Sequence, residues 1–569
     1  MASSHPSAPP DENAIQPADN VNSCTTTSKV AESEVQPTMS DVMEEKKHDD
    51  EDRWISGMQL WLLMMPLCFT FFLVLLDISI IATAIPQITN DFRSLPDVGW
   101  YGASYQLASA ALQPLTGKFY VNFKNKWTYI TFFGLFELGS LICGVASSSE
   151  MLIVGRAIQG MGTAGLQNGA FTIIAAAVPL SQRPALVGLC QGVAQLGGVI
   201  GPLVGGALTQ YTTWRWCFYI NLPPGAVVAA ILFMTEVPDG EVVKPPAREV
   251  VKDLHNKLDL LGFVLFAPSV IMLLMAVQWG GNEYAWDSST VIGLFCGFAG
   301  NFLVWAIWNY RKGDKALIPF SMVANLTVWT SFLFLGFLMG SMFVAVYYLP
   351  IYFQAVDGVT PTMSGVYMLP SILTQLFSAV IAGRLVVKVG RYLPFALGSA
   401  VLMSIGYGLC STLGTDSTTG EWVGYQILFG IGRGMGFQMP IVAVQHTLPA
   451  AQAPLAISLI MFSGMLFGAL LLSFASTIFT QSLRQLIPVH GNGVSAESVI
   501  AAGATGFRKI LSPSQLGPVL IAYAKSVDRV FYLITALTAV SFFLTFGLGW
   551  QDIREKKMPE KEVDGAEKA

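Results

Sequence analysis

Charged residues are scarce in this sequence. Only 12% of its 569 residues are Asp, Glu, Lys or Arg, whereas soluble globular domains carry about 25%. The shortage excludes an ordinary water-soluble domain. The formal net charge of −5 is small, so nothing in it indicates a nucleic-acid partner.

Several chemical motifs are also missing. The seven cysteines include no CxxC pair, which argues against a disulfide framework or a zinc site. The sequence has no GxxxxGK(S/T) phosphate loop, no HExxH helix and no GxSxG nucleophile elbow. We therefore expect no metal, no cofactor and no enzymatic activity.

Apolar stretches, by contrast, are abundant. Hydrophobic residues make up 53% of the chain, and long apolar runs alternate with short polar breaks between residues 58 and 550. Because about 20 apolar residues cross the hydrocarbon core as a helix, this pattern predicts an all-α polytopic membrane protein. By the same measure it predicts about 14 transmembrane helices.

Lysine and arginine in the short loops predict the orientation. They concentrate on one side of the predicted helices, which the positive-inside rule assigns to the cytoplasm. These cations include Lys118, Lys124, Lys126 and Arg384. Both termini are then cytoplasmic, and the polar tails at 1–56 and 551–569 belong to that side, the first of them disordered. Asn325 begins the one N-x-(S/T) sequon, and we expect it to carry no glycan because it faces the cytoplasm.

Short similar segments recur in two parts of the chain. GKFYVNFKNKW follows the second predicted helix and AGRLVVKVGRY the tenth, while QGMG lies in the fourth and RGMG in the twelfth. Related halves with a site between them are typical of secondary transporters. The sequence therefore predicts the following parts: a six-helix bundle (57–235), a cytoplasmic loop with two inserted helices (236–325), and a second six-helix bundle (326–550) that includes a long extracellular loop (481–529).

Four charged residues fall inside predicted membrane helices: Asp77, Glu137, Arg156 and Arg433. A charge at the bilayer centre costs about 2.5–3.5 kcal/mol on insertion scales, so such residues are functional candidates. Asp77 lies about 13 Å before Pro86 and Arg156 about 8 Å after Met151 along their helices, which puts both in the outer half of the membrane. A pair between them would either tie two helices together or let Asp77 load and release a proton beside a fixed cation.

The fifth predicted helix has a face of small residues. LGGVIGPLVGGALT repeats glycine at intervals of four residues, which lets another helix approach closely. The face consists of Gly197, Gly198, Gly201, Pro202, Gly205 and Gly206. Glycine and proline also permit bending, so we leave open whether this face only packs or also serves movement.

Polar amides are scattered among the apolar helices. They are Gln159, Gln167, Asn168, Gln191, Gln195, Gln375 and Gln438. Such groups either form hydrogen bonds between helices or line a cavity for amphipathic organic molecules.

Four motifs together resemble the major facilitator superfamily, specifically its fourteen-span drug:proton antiporter branch in fungi. LDISIIATAIPQI, around Asp77, is similar to the first-span motif, and GRAIQGMGTAG to the fourth-span arginine motif. GGVIGPLVGGALT is similar to the fifth-span antiporter motif, and WRWCFYINLPPG to the start of the sixth span. The resemblance covers roughly residues 58–550 and implies the major facilitator fold, with two six-helix bundles plus two extra helices.

The resemblance also implies a function: export of hydrophobic organic compounds, such as a fungal secondary metabolite, toxin or drug, in exchange for protons. The four intramembrane charges are then candidates for proton coupling, and Gly117 with the loop cations for the cytoplasmic gate. We expect a monomer in the plasma membrane, with a vacuolar or vesicular membrane as the alternative. Proton-coupled uptake of a siderophore or nutrient stays open, as does a membrane receptor or scaffold that transports nothing.

The gate loop departs from the family pattern at one position. The family usually has Asp four residues after the first glycine of this motif, and here that residue is Val121. The loop cations therefore need other partners, such as helix C-termini.

Overall fold

The computed structural model describes residues 54–92, 97–240, 244–281, 284–490 and 493–552. Within these ranges the chain forms helices and no β-strand, apart from two isolated bridges. Most of the predicted tails, residues 1–53 and 553–569, lie outside the described ranges.

We number the fourteen main helices of the described chain α1–α14. In the first half they are α1 (Gly57–Phe92), α2 (Val98–Asn122), α3 (Asn125–Gly144), α4 (Ser149–Ala177), α5 (Arg183–Tyr211) and α6 (Leu222–Met234). Then come α7 (Leu260–Trp279) and α8 (Ser289–Lys312). In the second half they are α9 (Leu326–Ala355), α10 (Leu369–Val389), α11 (Leu393–Cys410), α12 (Thr419–Gly436), α13 (Ala453–His490) and α14 (Pro513–Thr545).

Shorter helical segments connect several of these helices. They are Trp216–Tyr219, Ala247–Lys252, Leu254–Leu258, Phe320–Val323, Pro361–Tyr367, Met439–Thr447 and Ala496–Ile510, with 3₁₀ turns at Gly313–Lys315 and Phe546–Leu548.

The chain is a multi-pass membrane protein. In its described part, 12 helical segments are long and apolar enough to cross a membrane, and they include every numbered helix except α2 and α4. Those two are 25 and 29 residues long, and α4 holds buried polar residues such as Arg156 and Asn168. The crossing of all fourteen helices stays a prediction.

The helices pack with an internal repeat. In the first half α1 packs on α5, and α4 contacts both α2 and α3. The helices eight places later do the same, since α9 packs on α13, and α12 contacts both α10 and α11. The short sequence repeats therefore belong to two halves built on one plan.

Two seams join the halves, one between α5 and α10 and the other between α2 and α13. Small residues permit close contact at the ends that carry the cationic loops. A Cβ atom on Gly117 would lie 2.5 Å from Ser458 Oγ, and one on Gly383 would lie 2.6 Å from the Ala185 backbone. These seams enclose the space between the halves.

The inserted helices lie against one seam only. α7 packs on α8 and also contacts α2 and α13, and Ser473 on α13 donates a hydrogen bond to the carbonyl of Val277 on α7 at 2.6 Å. At the start of α7, the buried carboxylate of Asp259 accepts hydrogen bonds from Lys312 Nζ and from the Leu317 amide. The two inserted helices are therefore joined to each other through Asp259, and α7 is also joined to the α2–α13 seam.

Residues 481–529, predicted as a long loop, are mostly helical. α13 continues to His490, the segment Ala496–Ile510 forms a separate helix, and α14 already begins at Pro513. Phe507 of the separate helix is fully buried, and Arg508 donates to the carbonyl oxygens of Ala355 and Val356 at the end of α9. The segment is helical where a loop was predicted, because apolar residues at helical spacing continue through a polar stretch. Its location outside the membrane stays a prediction.

Candidate transport cavity and buried ion pair

Asp77 on α1 and Arg156 on α4 form an ion pair inside the first half. The distance between Asp77 Oδ2 and Arg156 Nη1 is 2.5 Å, and the exposed fractions of the two side chains are 0% and 1%. A buried pair of this kind is retained only with further hydrogen bonds, because the interior does not solvate the charges.

Two amides complete the coordination of Asp77, one on α4 and one at the start of α6. Its Oδ1 accepts hydrogen bonds from Gln159 Nε2 at 2.9 Å and from Asn221 Nδ2 at 3.1 Å. Both amides also donate to Ser140 Oγ on α3. Four helices, α1, α3, α4 and the start of α6, therefore meet at one fully buried carboxylate.

The ring of Tyr105 packs against the Arg156 guanidinium. The guanidinium carbon lies 4.4 Å from the ring centroid, a cation–π contact. The Tyr105 hydroxyl is fixed by a 2.5 Å hydrogen bond with Thr163. Tyr105 also lines the space between the halves, whereas Asp77 and Arg156 do not. This ring therefore separates the ion pair from that space.

The space between the halves is a cavity with an apolar wall and a few amides. Helices of both halves contribute aromatic and methionine side chains, including Phe71, Phe343, Met339 and Met461. The predicted amides among its lining are Gln167, Gln191, Gln195 and Gln375. An apolar cavity with few polar groups is typical of sites for hydrophobic organic molecules.

The other three predicted amides connect helices instead. Gln159 belongs to the Asp77 cluster, and Asn168 lies 3.0 Å from Thr116 Oγ1 on α2. Gln438 donates to the carbonyl of Ala379 on α10.

Glu137 on α3 does not join the ion pair. Both of its carboxyl oxygens are buried and have no hydrogen-bond partner in the described structure. A Cβ atom on Gly225 would lie 2.3 Å from one of them, so the carboxyl group occupies the contact between α3 and α6.

Arg433 on α12 likewise forms no ion pair in the described structure. Its Nε donates to Gln375 Oε1 at 3.0 Å, and its Nη2 contacts the same oxygen. The structure thus brings together Asp77 and Arg156 but leaves Glu137 and Arg433 apart from them.

The glycine face of α5 packs against α1. Cβ atoms on Gly197, Gly201 and Gly205 would lie within 2.5 Å of α1 atoms, whereas Gly198 and Gly206 have open space around the same position. Pro202, on the same stretch, lies inside the helix and is exposed. The motif therefore joins two helices of one half and does not lie at a seam between the halves.

Two of the four gate cations, Lys118 and Lys126, donate to backbone carbonyls in place of the missing Asp. Lys126 Nζ donates to the carbonyls of Phe233 and Thr235 at the C-terminal end of α6. The buried Lys118 donates to the Lys315 carbonyl at 3.4 Å. Lys124 and Arg384 are exposed. Helix C-termini attract cations through the helix dipole.

A further lysine joins this loop from the following segment. Lys244 Nζ donates to the Phe123 carbonyl and to Asn125 Oδ1, and lies 3.5 Å from Asp239. Burial lowers the pKa of Lys244, and Asp239 only partly opposes this effect.

Asn325 caps helix α9. Its side-chain oxygen accepts a hydrogen bond from the Thr327 amide, as Asn commonly does at an N-cap. Among the described residues, no group of His, Cys, Asp and Glu could hold a metal ion.

Three important residues were not predicted: Tyr105, Asn221 and Asp259. Asn221 lies in the WRWCFYINLPPG motif, which the sequence analysis singled out. Nothing in that motif indicates its contact with Asp77. Tyr105 has no sequence signal that separates it from a packing aromatic.

Two repeated helical bundles with an apolar cavity between them define a secondary membrane transporter. The chain belongs to the Major Facilitator Superfamily, whose model matches residues 67–472.

Curated relatives agree with this assignment. The MFS-type transporter pigP of Monascus ruber is 55% identical over 515 residues, which cover 90% of each chain. The efflux pump mlcE of Penicillium citrinum is 48% identical, over 89% of this chain and 93% of its own. The efflux pump aflT of Aspergillus parasiticus is 41% identical, over 88% and 98%.

Solved structures show the same fold at low sequence identity. The proton:xylose symporter XylE superposes with a TM-score of 0.56 at 14% identity, covering 87% of this chain and 98% of its own. The human organic anion transporter MFSD10 gives 0.55 at 13% identity, over 86% and 100%.

Proposed function

We propose that this protein exports hydrophobic organic compounds in exchange for protons. Asp77 loads and releases the proton, Arg156 remains the fixed cation beside it, and the cavity between the halves holds the cargo. The observation that carries the proposal is the buried Asp77–Arg156 pair, whose guanidinium is in contact with the ring of the cavity-lining residue Tyr105.

The direction of transport is inferred from the relatives. Two of them are named efflux pumps, and their identity to this chain extends over most of both sequences. Uptake on the same fold remains the alternative, and the direction of flux distinguishes the two.

Proton exchange supplies enough free energy for export. One proton entering across 100 mV contributes about 2.3 kcal/mol, and each unit of pH difference adds about 1.4 kcal/mol. Together these support a cargo gradient of roughly two to three orders of magnitude. A proton gradient is then the only energy source required, with no cofactor.

The mechanism follows from the contacts of Asp77. When Asp77 is ionised, Arg156, Gln159 and Asn221 all donate to it and hold it in place. Protonation removes the charge that balances Arg156, which weakens this cluster and favours a different arrangement of α1 and α4. Cargo that displaces the Tyr105 ring would favour release of the proton, so both ligands act on one cluster.

The test uses the full chain in sealed vesicles. Two probes, 1-pyrenebutyric acid and its methyl ester, are offered to inside-out vesicles with an acidic interior, and probe accumulation and proton movement are recorded. We expect accumulation that drives protons out of the interior. Accumulation in right-side-out vesicles with an acidic exterior would instead show uptake.

The Asp77→Asn variant tests the assignment of the coupling residue. It should lose proton movement and gradient-driven accumulation, while probe counterflow, which needs no net proton transfer, continues. Asp77→Glu keeps a titratable group and should retain part of the coupling. Normal proton movement in Asp77→Asn would overturn the assignment.

We also propose that the protein is a monomer in the plasma membrane with both termini cytoplasmic. What supports the orientation is the distribution of loop cations. Labelling of a tag at either terminus in intact and permeabilised cells tests it, and microscopy of the same tag separates the plasma membrane from vacuolar and vesicular membranes.

A further inference from the structure

The two buried arginines of this protein are not equivalent. The side chain of Arg156 is balanced by Asp77, whereas Arg433, which is also only 1% exposed, forms no ion pair in the described structure. The Nη1 atom of Arg433 forms no hydrogen bond there either, although the Tyr407 hydroxyl lies beside the guanidinium. That hydroxyl carries no charge to balance Arg433, and the hydrogen bonds of the guanidinium go to the side chain of Gln375.

Arg433 fixes the orientation of the Gln375 amide. A guanidinium group only donates hydrogen bonds, and two of its nitrogens contact Gln375 Oε1. The amide NH₂ must therefore point away from Arg433. Gln375 lines the cavity, and its NH₂ group donates no hydrogen bond within the described part of the chain. The cavity wall thus presents an oriented donor backed by a buried cation.

The charge balance around the cavity favours an anion. In the first half Asp77 neutralises Arg156, but among the described residues no carboxylate pairs with Arg433 to neutralise the second cation. A buried charge without a countercharge is destabilising, and a bound anion would reduce that cost. The rest of the lining, such as Phe71 and Met461, suits an apolar body.

We propose that the cavity binds amphipathic organic acids, with the carboxylate accepting a hydrogen bond from the Gln375 amide next to Arg433. This inference rests on the proposed function, because it takes the cavity to be the cargo site. Arg433 then acts as a positioning residue for Gln375 and as the countercharge to the cargo.

Equilibrium binding to the purified full chain tests the inference without any proton gradient. The probes are 1-pyrenebutyric acid, ionised at neutral pH, and its methyl ester, which has the same apolar body and no charge. We expect the acid to bind at least about tenfold more tightly, as expected for a hydrogen bond to a charged group.

Two charge variants locate the effect. Gln375→Glu places a carboxylate against Arg433, which keeps the guanidinium partnered and removes the donor, so it should abolish the preference for the acid. Gln167→Glu adds the same charge to the wall formed by the first half and serves as the matched control, with a smaller loss of preference.

Each outcome decides the inference. Equal binding of the acid and the ester to the unmodified chain, or no binding of the acid, overturns it. So does an equal loss of preference in both variants, because any added negative charge would then suffice. Failure of the proposed function is distinct, since it appears as absent proton-driven transport of both probes whatever their binding.

Discussion

The close packing of α5 on α1 can be tested with a pair of neighbouring glycines. A Cβ atom on Gly197 would lie 2.3 Å from the Phe72 carbonyl oxygen and 2.9 Å from the Leu76 nitrogen, both backbone atoms. A Cβ atom on Gly198 would meet nothing within 4 Å. Gly197→Ala and Gly198→Ala therefore add the same methyl group to the same helix in different surroundings.

The expected difference follows from these distances. Replacing glycine by alanine in a helix gains about 1 kcal/mol from helix propensity at either site. At Gly197 the backbone of α1 must also move away, and overpacking of this kind costs about 1–3 kcal/mol. We expect Gly198→Ala to be at least as stable as the unmodified protein and Gly197→Ala to be less stable than Gly198→Ala by about 1–3 kcal/mol.

The measurement is the apparent thermal midpoint of the purified protein in detergent, followed by loss of the monodisperse peak in size-exclusion chromatography. Because unfolding of such proteins is commonly irreversible, the variants are compared at one heating rate. Equal midpoints for the two variants would refute the close contact between α5 and α1.

Three further predictions concern other parts of the site. Glu137→Gln should not lower the thermal midpoint, because the replaced carboxyl has no hydrogen-bond partner in the described structure; a clear fall would reveal a hidden partner. Lys126→Met should lower the free energy of unfolding by roughly 1 kcal/mol and the thermal midpoint with it, because two carbonyls at the end of α6 lose their donor. Substitution of the exposed Lys124 by Met is the control and should leave the midpoint unchanged. Tyr105→Ala should increase proton leak through cargo-free vesicles, whereas Tyr105→Phe, which keeps the ring over Arg156, should not; equal leak would show that the ring is no barrier.

Much of the architecture could be predicted from residue patterns. Apolar runs of membrane-spanning length gave the helices of both halves, and the recurring glycine–cation segments pointed to a repeat that the packing of α1–α5 and α9–α13 displays. Helix ends in polar stretches could not be predicted, because α13 extends to His490 on buried residues such as Leu483 and Ile487, which are too sparse for a hydropathy argument.

The contacts between the site residues were harder to predict than the identity of those residues. Distance along a helix gives the depth of Asp77 and Arg156, and both were candidates on that basis, but it does not give the rotation of either helix. Glu137 and Arg433 are, like Asp77 and Arg156, charged residues within apolar runs, yet in the described part of the chain neither forms an ion pair. Asn221 reaches Asp77 only because α6 begins beside α1, a tertiary arrangement that no local pattern specifies.

The inserted helices make the two seams unequal. By the internal repeat, α5–α10 and α2–α13 are equivalent lines of contact, but α7 lies against α2 and α13 and is bonded there through Ser473. When the halves separate at the α2–α13 seam, either α7 moves together with one of these helices or its contacts with them break. No such contacts have to change when α5 separates from α10. Separation of the halves would therefore meet less resistance along the α5–α10 seam than along the seam that the insert covers.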